Sequence, residues 1–195
     1  MGSLSPHHLN EALFFAAMNG HISCVSLVLN QQNVNVDYEK DGISTLFMSS
    51  QHGHIDCVRK LLESGADCNL AIENGATSLY ISCERGHFDI CELLLEFGAD
   101  ITSRLDTGHN SLHIAAQYDR LEILQLLLDF GMDIESKTNL GATASFIAAF
   151  EGHDSSLKCL LDRGACPENS TYEGDTCLYV ATERGNFIFS PNNNN

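Results

Sequence analysis

A glycine recurs along the chain every 33 residues, and this period constrains the fold more than any other feature of the sequence. The positions are Gly20, Gly53, Gly86, Gly152 and Gly185, with Asp119 in the one remaining place. A fixed period over a whole chain is typical of a repeat architecture, in which each repeat packs only against its neighbours. The 195 residues therefore predict one solenoid rather than one or two ordinary globular domains.

Residues 86–100 contain the most distinct helix of this period. Asp89, Glu92 and Glu96 follow one another at helical spacing, and nearly all the residues between them are apolar. A helix with a single polar stripe has to bury its other sides against neighbours. We therefore expect this helix to lie between the equivalent helices of the repeats before and after it, with its acidic stripe in solvent.

A second series of glycines sets the frame of the repeats: Gly42, Gly75, Gly108, Gly141 and Gly174. The predicted repeats span residues 6–38, 39–71, 72–104, 105–137 and 138–170, with a partial sixth over 171–189. Each repeat then reads as a turn, a short helix, a tight turn, a longer helix and a loop. The side chains suited to cap the short helices are Ser44, Thr77, Asn110, Thr143 and Thr176.

Several repeats carry a common motif. The fourth reads GHNSLHIAA from Gly108 to Ala116, the second has Gly53-His54 and later GADCN at 65–69, and the third has Gly86-His87 and GAD at 98–100. These residues resemble the ankyrin repeat family, whose pattern is G-x-T-P-L-H-x-A-A, then G-H, then V-x-x-L-L-x-x-G-A-D-x-N. The resemblance implies an all-α solenoid of stacked helix-turn-helix units with β-turn or hairpin loops, forming a single ankyrin-repeat domain over 1–189.

The chain departs from the family pattern at two positions of the first helix. The proline of the pattern is replaced by Thr45, Ser78, Ser111, Ala144 and Cys177. Its histidine is kept only as His113 and is replaced elsewhere by Phe47, Tyr80, Phe146 and Tyr179. In the family this histidine ties the turn together by hydrogen bonds. We expect the aromatic rings to take over that role by packing between repeats.

The sixth repeat has no sequence suited to a second helix, because Pro191 and a run of asparagines follow Phe189. Two alternatives follow for the half-covered fifth repeat. Either the tail folds back through Phe187 and Phe189, or the chain is a truncated product of a longer protein, which we favour. Residues 190–195 are predicted to be a disordered, asparagine-rich tail.

The net charge of −16 disfavours nucleic acid and anionic lipid as partners and favours neutral or basic proteins, although acidity alone also promotes solubility. The eight cysteines form no C-x-x-C motif, so we interpret most of them as small buried hydrophobic residues in a reducing compartment. The sequence has no apolar run long enough for a membrane span. We therefore expect a monomeric protein of the cytoplasm, the nucleus or both.

Motifs for catalysis and cofactor binding are missing from the sequence, which has no G-x-S-x-G, no G-x-x-x-x-G-K-[ST] and no G-x-G-x-x-G. The recurring histidines His21, His54, His87 and His153 lie at least one repeat apart, too far to share one metal ion. Hydrogen bonds from their rings to loop backbone are the favoured interpretation. The sequence predicts no enzyme activity, no cofactor and no metal.

The resemblance implies that partners bind along the turn tips and the exposed side of the first helices. Carried onto this chain, these positions are Ile43, Gln51, His52, Glu84, Arg85, His109, Gln117, Tyr118, Leu140, Phe150 and Glu151. Our hypothesis is that Tyr118 and Phe150 anchor the partner, since aromatic residues dominate many interfaces. Isolated exposed apolar residues are also common on ordinary surfaces.

The sequence thus predicts a non-catalytic intracellular scaffold or adaptor that binds a protein or peptide through a concave groove and turn tips. The alternative is an N-terminal ankyrin fragment of a larger protein with an enzyme, channel or ubiquitin-ligase adaptor box as effector. The resemblance also implies possible hydroxylation of Asn69 by an oxygen-dependent hydroxylase, although a turn-forming role of this residue is favoured.

Overall fold

A computed structural model describes residues 5–185 of the chain. The elements up to Ser103 are α1 Pro6–Met18, α2 Ile22–Leu29, β1 Glu39–Lys40, β2 Ile43–Ser44, α3 Thr45–Gln51, α4 Ile55–Glu63, α5 Ser78–Arg85 and α6 Phe88–Glu96. Those that follow are α7 Ser111–Gln117, α8 Leu121–Asp129, α9 Ala144–Glu151, α10 Asp154–Asp162 and α11 Cys177–Glu183. The predictions for Phe187, Phe189 and the tail 190–195 lie outside the described residues.

The helices are arranged in two compact units, one up to Ser103 and one from Arg104 onwards. In the first unit α1, α3 and α5 pack side by side in that order, and so do α2, α4 and α6. In the second unit α7, α9 and α11 form one row, and α8 packs against α10. The chain is therefore an all-α solenoid of helix-turn-helix units, as predicted. A single domain over 1–189 stays a prediction.

The predicted caps of the first helices are confirmed. In four repeats a hydroxyl accepts the backbone N–H three residues later, at 3.1 Å for Ser44 and Thr176 and 3.3 Å for Thr77 and Thr143. The side chain of Asn110 accepts two such bonds, at 3.1 and 3.2 Å. These bonds satisfy N–H groups that a helix start otherwise leaves without partners.

The second helices bury their apolar positions as the pattern of residues 86–100 predicts, and α6 packs on α4 of the preceding repeat. Leu61, Leu94, Leu127 and Leu160 occupy the same repeat position and are all 0% exposed. The stripe of Asp89, Glu92 and Glu96 on α6 is exposed. Burying such a leucine contributes about 2 kcal/mol relative to leaving it in water. A continuous row of leucines inside each unit therefore accounts for much of the stability of the stack.

The recurring histidines form a contact between consecutive repeats in each unit. The ring Nε2 of His54 lies 3.0 Å from the Met18 carbonyl, that of His87 3.2 Å from the Gln51 carbonyl, and that of His153 2.9 Å from the Gln117 carbonyl. Each carbonyl lies at the end of the first helix of the preceding repeat. The predicted bonding to backbone is therefore confirmed for these three rings, although their acceptors are helix ends rather than loops, and these bonds connect one repeat to the next. For His21, which is exposed, it stays a prediction.

The glycine that precedes each histidine packs against the histidine of the next repeat in the first unit. Gly53 has φ +76°, a conformation that side chains disfavour, and an added Cβ would lie 2.7 Å from the His87 ring. In the fourth repeat Asp119 adopts φ 51° without being glycine. Its carboxylate accepts a 2.6 Å hydrogen bond from the buried hydroxyl of Ser156, which holds the turn in place.

His113 and the aromatic residues at its repeat position differ in their surroundings. His113 is fully buried, and its Nε2 donates to the Ser136 carbonyl at 3.0 Å while its Nδ1 accepts the Asn110 N–H at 3.1 Å. Phe47 and Tyr80 are buried as expected. The expectation is wrong for Tyr179, which is 54% exposed because no second helix follows α11 within the described residues.

The cysteines are free thiols with unequal exposure. Five of them are buried as predicted: Cys57, Cys68, Cys83, Cys91 and Cys177. Cys159 is half-buried, and Cys24 and Cys166 are exposed, so the interpretation as buried residues holds for most of the eight cysteines and not for these. Cys24 shares a repeat position with Cys57 but lies on α2, which has a neighbouring second helix on one side only within the described residues. No helix of the described part of the chain is long and apolar enough to cross a membrane.

Ser49→Ala and Ser50→Ala should each raise the free energy of unfolding by about 1 kcal/mol. Within residues 5–185 the hydroxyls of Ser49 and Ser50 are buried on α3 and have no hydrogen-bond partner. A buried hydroxyl without a partner is destabilising, and removing it restores an ordinary apolar contact. The other repeats support the change, since the first, fourth and fifth have two alanines here. Urea unfolding of the two variants measures the effect.

Ser82→Ala provides a matched control for Ser49→Ala. Ser82 occupies the equivalent position on α5 and is also 0% exposed, but its hydroxyl donates to the Ser78 carbonyl at 2.7 Å. Its replacement should lower the free energy of unfolding by about 0.5–1 kcal/mol. Equal destabilisation by Ser49→Ala and Ser82→Ala would show that the absent hydrogen bond has no energetic consequence.

Candidate protein-binding surface

The predicted partner-binding residues of the first unit form a polar set. Ile43 is half-buried in β2, where it pairs with Lys40 of the antiparallel hairpin. His52 is exposed, its Nδ1 lies 2.9 Å from the Met48 carbonyl, and its ring stacks on His54 at 6.1 Å. The Arg85 guanidinium lies 3.8 Å from the Glu84 carboxylate, which partly neutralises both groups. Gln51 is half-buried, so these residues offer hydrogen bonds rather than a large apolar contact.

The second unit exposes more apolar surface at its predicted positions. Tyr118 is the C-cap of α7 and is 46% exposed, and Phe150 near the end of α9 is 40% exposed. Both residues are at the ends of neighbouring first helices, since α7 packs on α9. Leu140 on a turn tip is 75% exposed. Such side chains can transfer apolar area from water into an interface.

Phe150 has a partner that sequence reasoning missed. The guanidinium of Arg184 lies 3.6 Å from the centre of the Phe150 ring, and one of its N–H groups donates to the Phe150 carbonyl at 2.9 Å. The Phe146 ring stacks on Phe150 at 6.3 Å. A signal was available, because Arg184 holds the same repeat position as Tyr118. These contacts fix the Phe150 ring in one orientation and cover part of it.

The turn tips of the second unit are tied together through their backbones. The Asn139 N–H donates to the Thr107 carbonyl at 3.0 Å, and the Tyr172 N–H donates to the Leu140 carbonyl at 3.1 Å. Tyr172 is 75% exposed, like Leu140, and was also missed by the sequence analysis. Its position one repeat after Asn139 could have revealed it. The two tips therefore present Leu140 and Tyr172 as neighbouring apolar side chains on a hydrogen-bonded support.

The remaining predicted positions of the second unit are less available to a partner. His109 is half-buried, its Nδ1 lies 2.9 Å from the Thr107 hydroxyl, and its ring meets His113 edge-on at 5.7 Å. Burial lowers the pKa of the His109 imidazole, which favours its neutral form. Gln117 is half-buried and its carbonyl accepts the bond from His153, whereas Glu151 is exposed.

Two cations of the second unit are turned towards its own backbone. The Arg104 guanidinium donates to the Lys137 carbonyl at 2.9 Å, and the Lys137 ammonium donates to the Ser170 carbonyl at 3.3 Å. Exposed carboxylates lie at the tips and the first helix, on Asp106, Glu151 and Glu173. The surface around the exposed apolar residues is therefore rich in negative charge.

Asn69 has a structural role in the first unit. It is exposed, and its side-chain oxygen accepts the Asp100 N–H of the next repeat at 2.7 Å. Glu135 does the same in the second unit, where its carboxylate accepts the Cys166 N–H at 2.6 Å. The side chain at this position therefore links consecutive loops. Hydroxylation of Asn69 stays a prediction.

Among residues 5–185 no group of three or more His, Cys, Asp or Glu side chains is arranged to hold a metal ion. Comparison with curated proteins gives no match. The family model described as ankyrin repeats matches three times, over residues 4–72, 67–138 and 112–189. These matches overlap, so they identify the family and leave the number of repeats a prediction. The matches cover nearly the whole chain, which belongs to the ankyrin repeat family.

Proposed function

We propose that this protein is a non-catalytic scaffold or adaptor that binds a protein partner through what we call the second-unit surface, formed by Tyr118, Leu140, Phe150 and Tyr172. Ankyrin repeats are generally protein–protein interaction modules. The observation that carries the proposal is the exposure of these four side chains, between 40% and 75%, on first-helix ends and turn tips held by hydrogen bonds. Rigid apolar side chains lose little entropy on binding, which favours affinity.

The charge of the protein supports a basic partner. Carboxylates of Asp106, Glu151 and Glu173 are exposed near the apolar positions, and the whole chain has a net charge of −16. Opposite charge accelerates encounter and selects between partners, while buried apolar contacts supply most of the affinity. We therefore propose a peptide or protein segment that combines aromatic or aliphatic residues with Lys or Arg.

The proposal places the protein in the cytoplasm, the nucleus or both, acting as a monomer. Eight cysteines without a C-x-x-C spacing suit a compartment that keeps thiols reduced. A stack in which each repeat contacts its neighbours also provides a long surface for binding rather than the enclosed pocket that most catalysis needs.

Affinity capture with the folded chain, followed by mass spectrometry, tests this function. The wild-type protein is compared with Tyr118→Ala/Phe150→Ala. The matched control is Phe130→Ala, because Phe130 is an aromatic residue of the same unit with a similar exposure of 43%, located at the end of α8, a second helix. We expect a set of proteins that the wild type and the control enrich and that the double variant loses. Capture that the double variant retains in full would contradict the assignment of this surface.

A further inference from the structure

Two cysteine side chains meet in the core of the first unit. Cys83 lies towards the end of α5 and Cys91 near the start of α6, and their Sγ atoms are 3.7 Å apart. Both residues are 0% exposed, and both are free thiols. Since α5 and α6 belong to one repeat and pack against each other, the two sulfur atoms join the two helices of a single helix-turn-helix unit.

This thiol pair is specific to the third repeat. The equivalent pairs are Ala17 with Val25, Ser50 with Val58, Ala116 with Leu124, and Ala149 with Leu157. In each of those repeats a small residue is combined with a branched aliphatic one. Cysteine is larger than alanine and smaller than valine or leucine, so the two changes nearly conserve the total volume. An alanine and a valine would fill this site equally well, so packing does not require two thiols here.

We propose that Cys83 and Cys91 form a reversible intramolecular disulfide when the protein meets a two-electron oxidant of the peroxide class. An S–S bond is about 2.05 Å long, so the sulfur atoms have to approach by about 1.7 Å from their separation of 3.7 Å. One thiolate attacks the peroxide and becomes a sulfenic acid. The second thiol then attacks this sulfur, the S–S bond forms and water leaves. Overall, two thiols lose two hydrogen atoms and hydrogen peroxide becomes two water molecules.

The site predicts a slow, selective reaction. The contact with Cys83 and burial raise the pKa of the Cys91 thiol well above its ordinary range, so little thiolate is present at neutral pH. Exposed Cys24 and Cys166 should therefore react first, and disulfide formation should accelerate as the pH rises. The new bond would tie the end of α5 to the start of α6 beside the turn at Gly86 and His87, which limits how far this turn can open.

Peptide mapping tests the proposal on the folded full chain. The protein is treated with hydrogen peroxide under native conditions, and remaining thiols are alkylated. Trypsin cuts after Arg85 and thus separates Cys83 on peptide 61–85 from Cys91 on peptide 86–104. A second digestion with a glutamate-specific protease, which cuts after Glu73, separates Cys68 from Cys83. We expect a linked pair of peptides, lighter than the sum of its parts by two hydrogen atoms, that dithiothreitol splits.

Cys83→Ala/Cys91→Val is the matched control, because it installs the residues that Ala17 and Val25 represent in the first repeat. Circular dichroism and the urea midpoint establish that this variant folds, and the single variant Cys83→Ser provides a second control if it does not. Neither variant should give the linked peptides. The proposal is wrong if both thiols of the folded wild type remain alkylatable after Cys24 and Cys166 are oxidised. It is also wrong if the link involves Cys68 or forms only in denaturant.

Discussion

Lowering the pH from 7 to about 4.5 should destabilise the wild-type protein by about 2.5 kcal/mol more than the His113→Phe variant. The buried imidazole of His113 causes this difference. Burial, with a smaller contribution from nearby His109, lowers the pKa of His113 from 6.5 to about 4. A protonated ring could donate a hydrogen bond from Nδ1 to the Asn110 side-chain oxygen, which lies 2.6 Å away. The free energy of that bond is smaller than the cost of desolvating the charge.

The direction of the pH effect follows from proton binding. The folded-state pKa of His113 lies below its ordinary value, so the unfolded chain binds more protons between about pH 6.5 and 4. The stability contributed by the neutral ring is complete above this window and is lost as the pH falls through it. Below the folded-state pKa, His113 adds no further pH dependence.

Urea unfolding at several pH values, with wild type and His113→Phe compared at each, measures this effect. Phenylalanine is chosen because Phe47 is buried at the same repeat position on α3. Subtracting one profile from the other removes carboxylates such as Asp100, whose pKa is lowered by hydrogen bonds from Thr102 and Ser103. Parallel stability profiles between pH 7 and 4.5 would mean that His113 is protonated as easily in the folded state as in the unfolded one.

Gly53→Ala should lower the free energy of unfolding by about 3 kcal/mol, compared with about 1–2 kcal/mol for Gly65→Ala. Both glycines have φ angles in the left-handed region, +76° and +90°. An added Cβ at Gly65 meets nothing within 4 Å, whereas one at Gly53 lies 2.7 Å from the His87 ring. The ring has to move, which breaks its hydrogen bond to the Gln51 carbonyl.

A double-mutant cycle isolates this contact from backbone strain. In a His87→Ala background the ring is absent, so Gly53→Ala should cost only as much as Gly65→Ala. Chemical denaturation of the single and double variants gives the coupling free energy, which we expect to be about 1–1.5 kcal/mol. A coupling near zero would show that the imidazole over Gly53 does not help to hold consecutive repeats together.

The features that depend on the period were predictable from the sequence. Caps such as Ser44 and the buried row that includes Leu94 recur because each repeat builds the same local structure and meets the same neighbour. Tyr179 was mispredicted, and Cys24 is exposed while Cys57 at the same repeat position is buried, for the complementary reason. Repeat position predicts burial only where a neighbouring repeat covers that position, and both residues lie at an end of the described stack.

Contacts that do not recur from repeat to repeat were not predictable in this way. The Arg184 guanidinium over Phe150 and the thiols of Cys83 and Cys91 each require two changes at different positions that happen to meet. A repeat pattern describes what the repeats share, so it does not reveal such pairs. Their detection needs side-chain distances, and the sequence could only have indicated that Arg184 occupies the same repeat position as Tyr118, which was already suspected of binding a partner.

The most direct test of the proposed binding surface is the affinity of the captured partner, measured by calorimetry. For Tyr118→Ala/Phe150→Ala we predict binding weaker by about 30-fold, equivalent to about 2 kcal/mol, because two partly pre-ordered aromatic anchors are lost. Phe130→Ala should bind within about twofold of the wild type. Equal affinity of the wild type and the double variant, or an equal loss in Phe130→Ala, would contradict the assignment of partner binding to the second-unit surface.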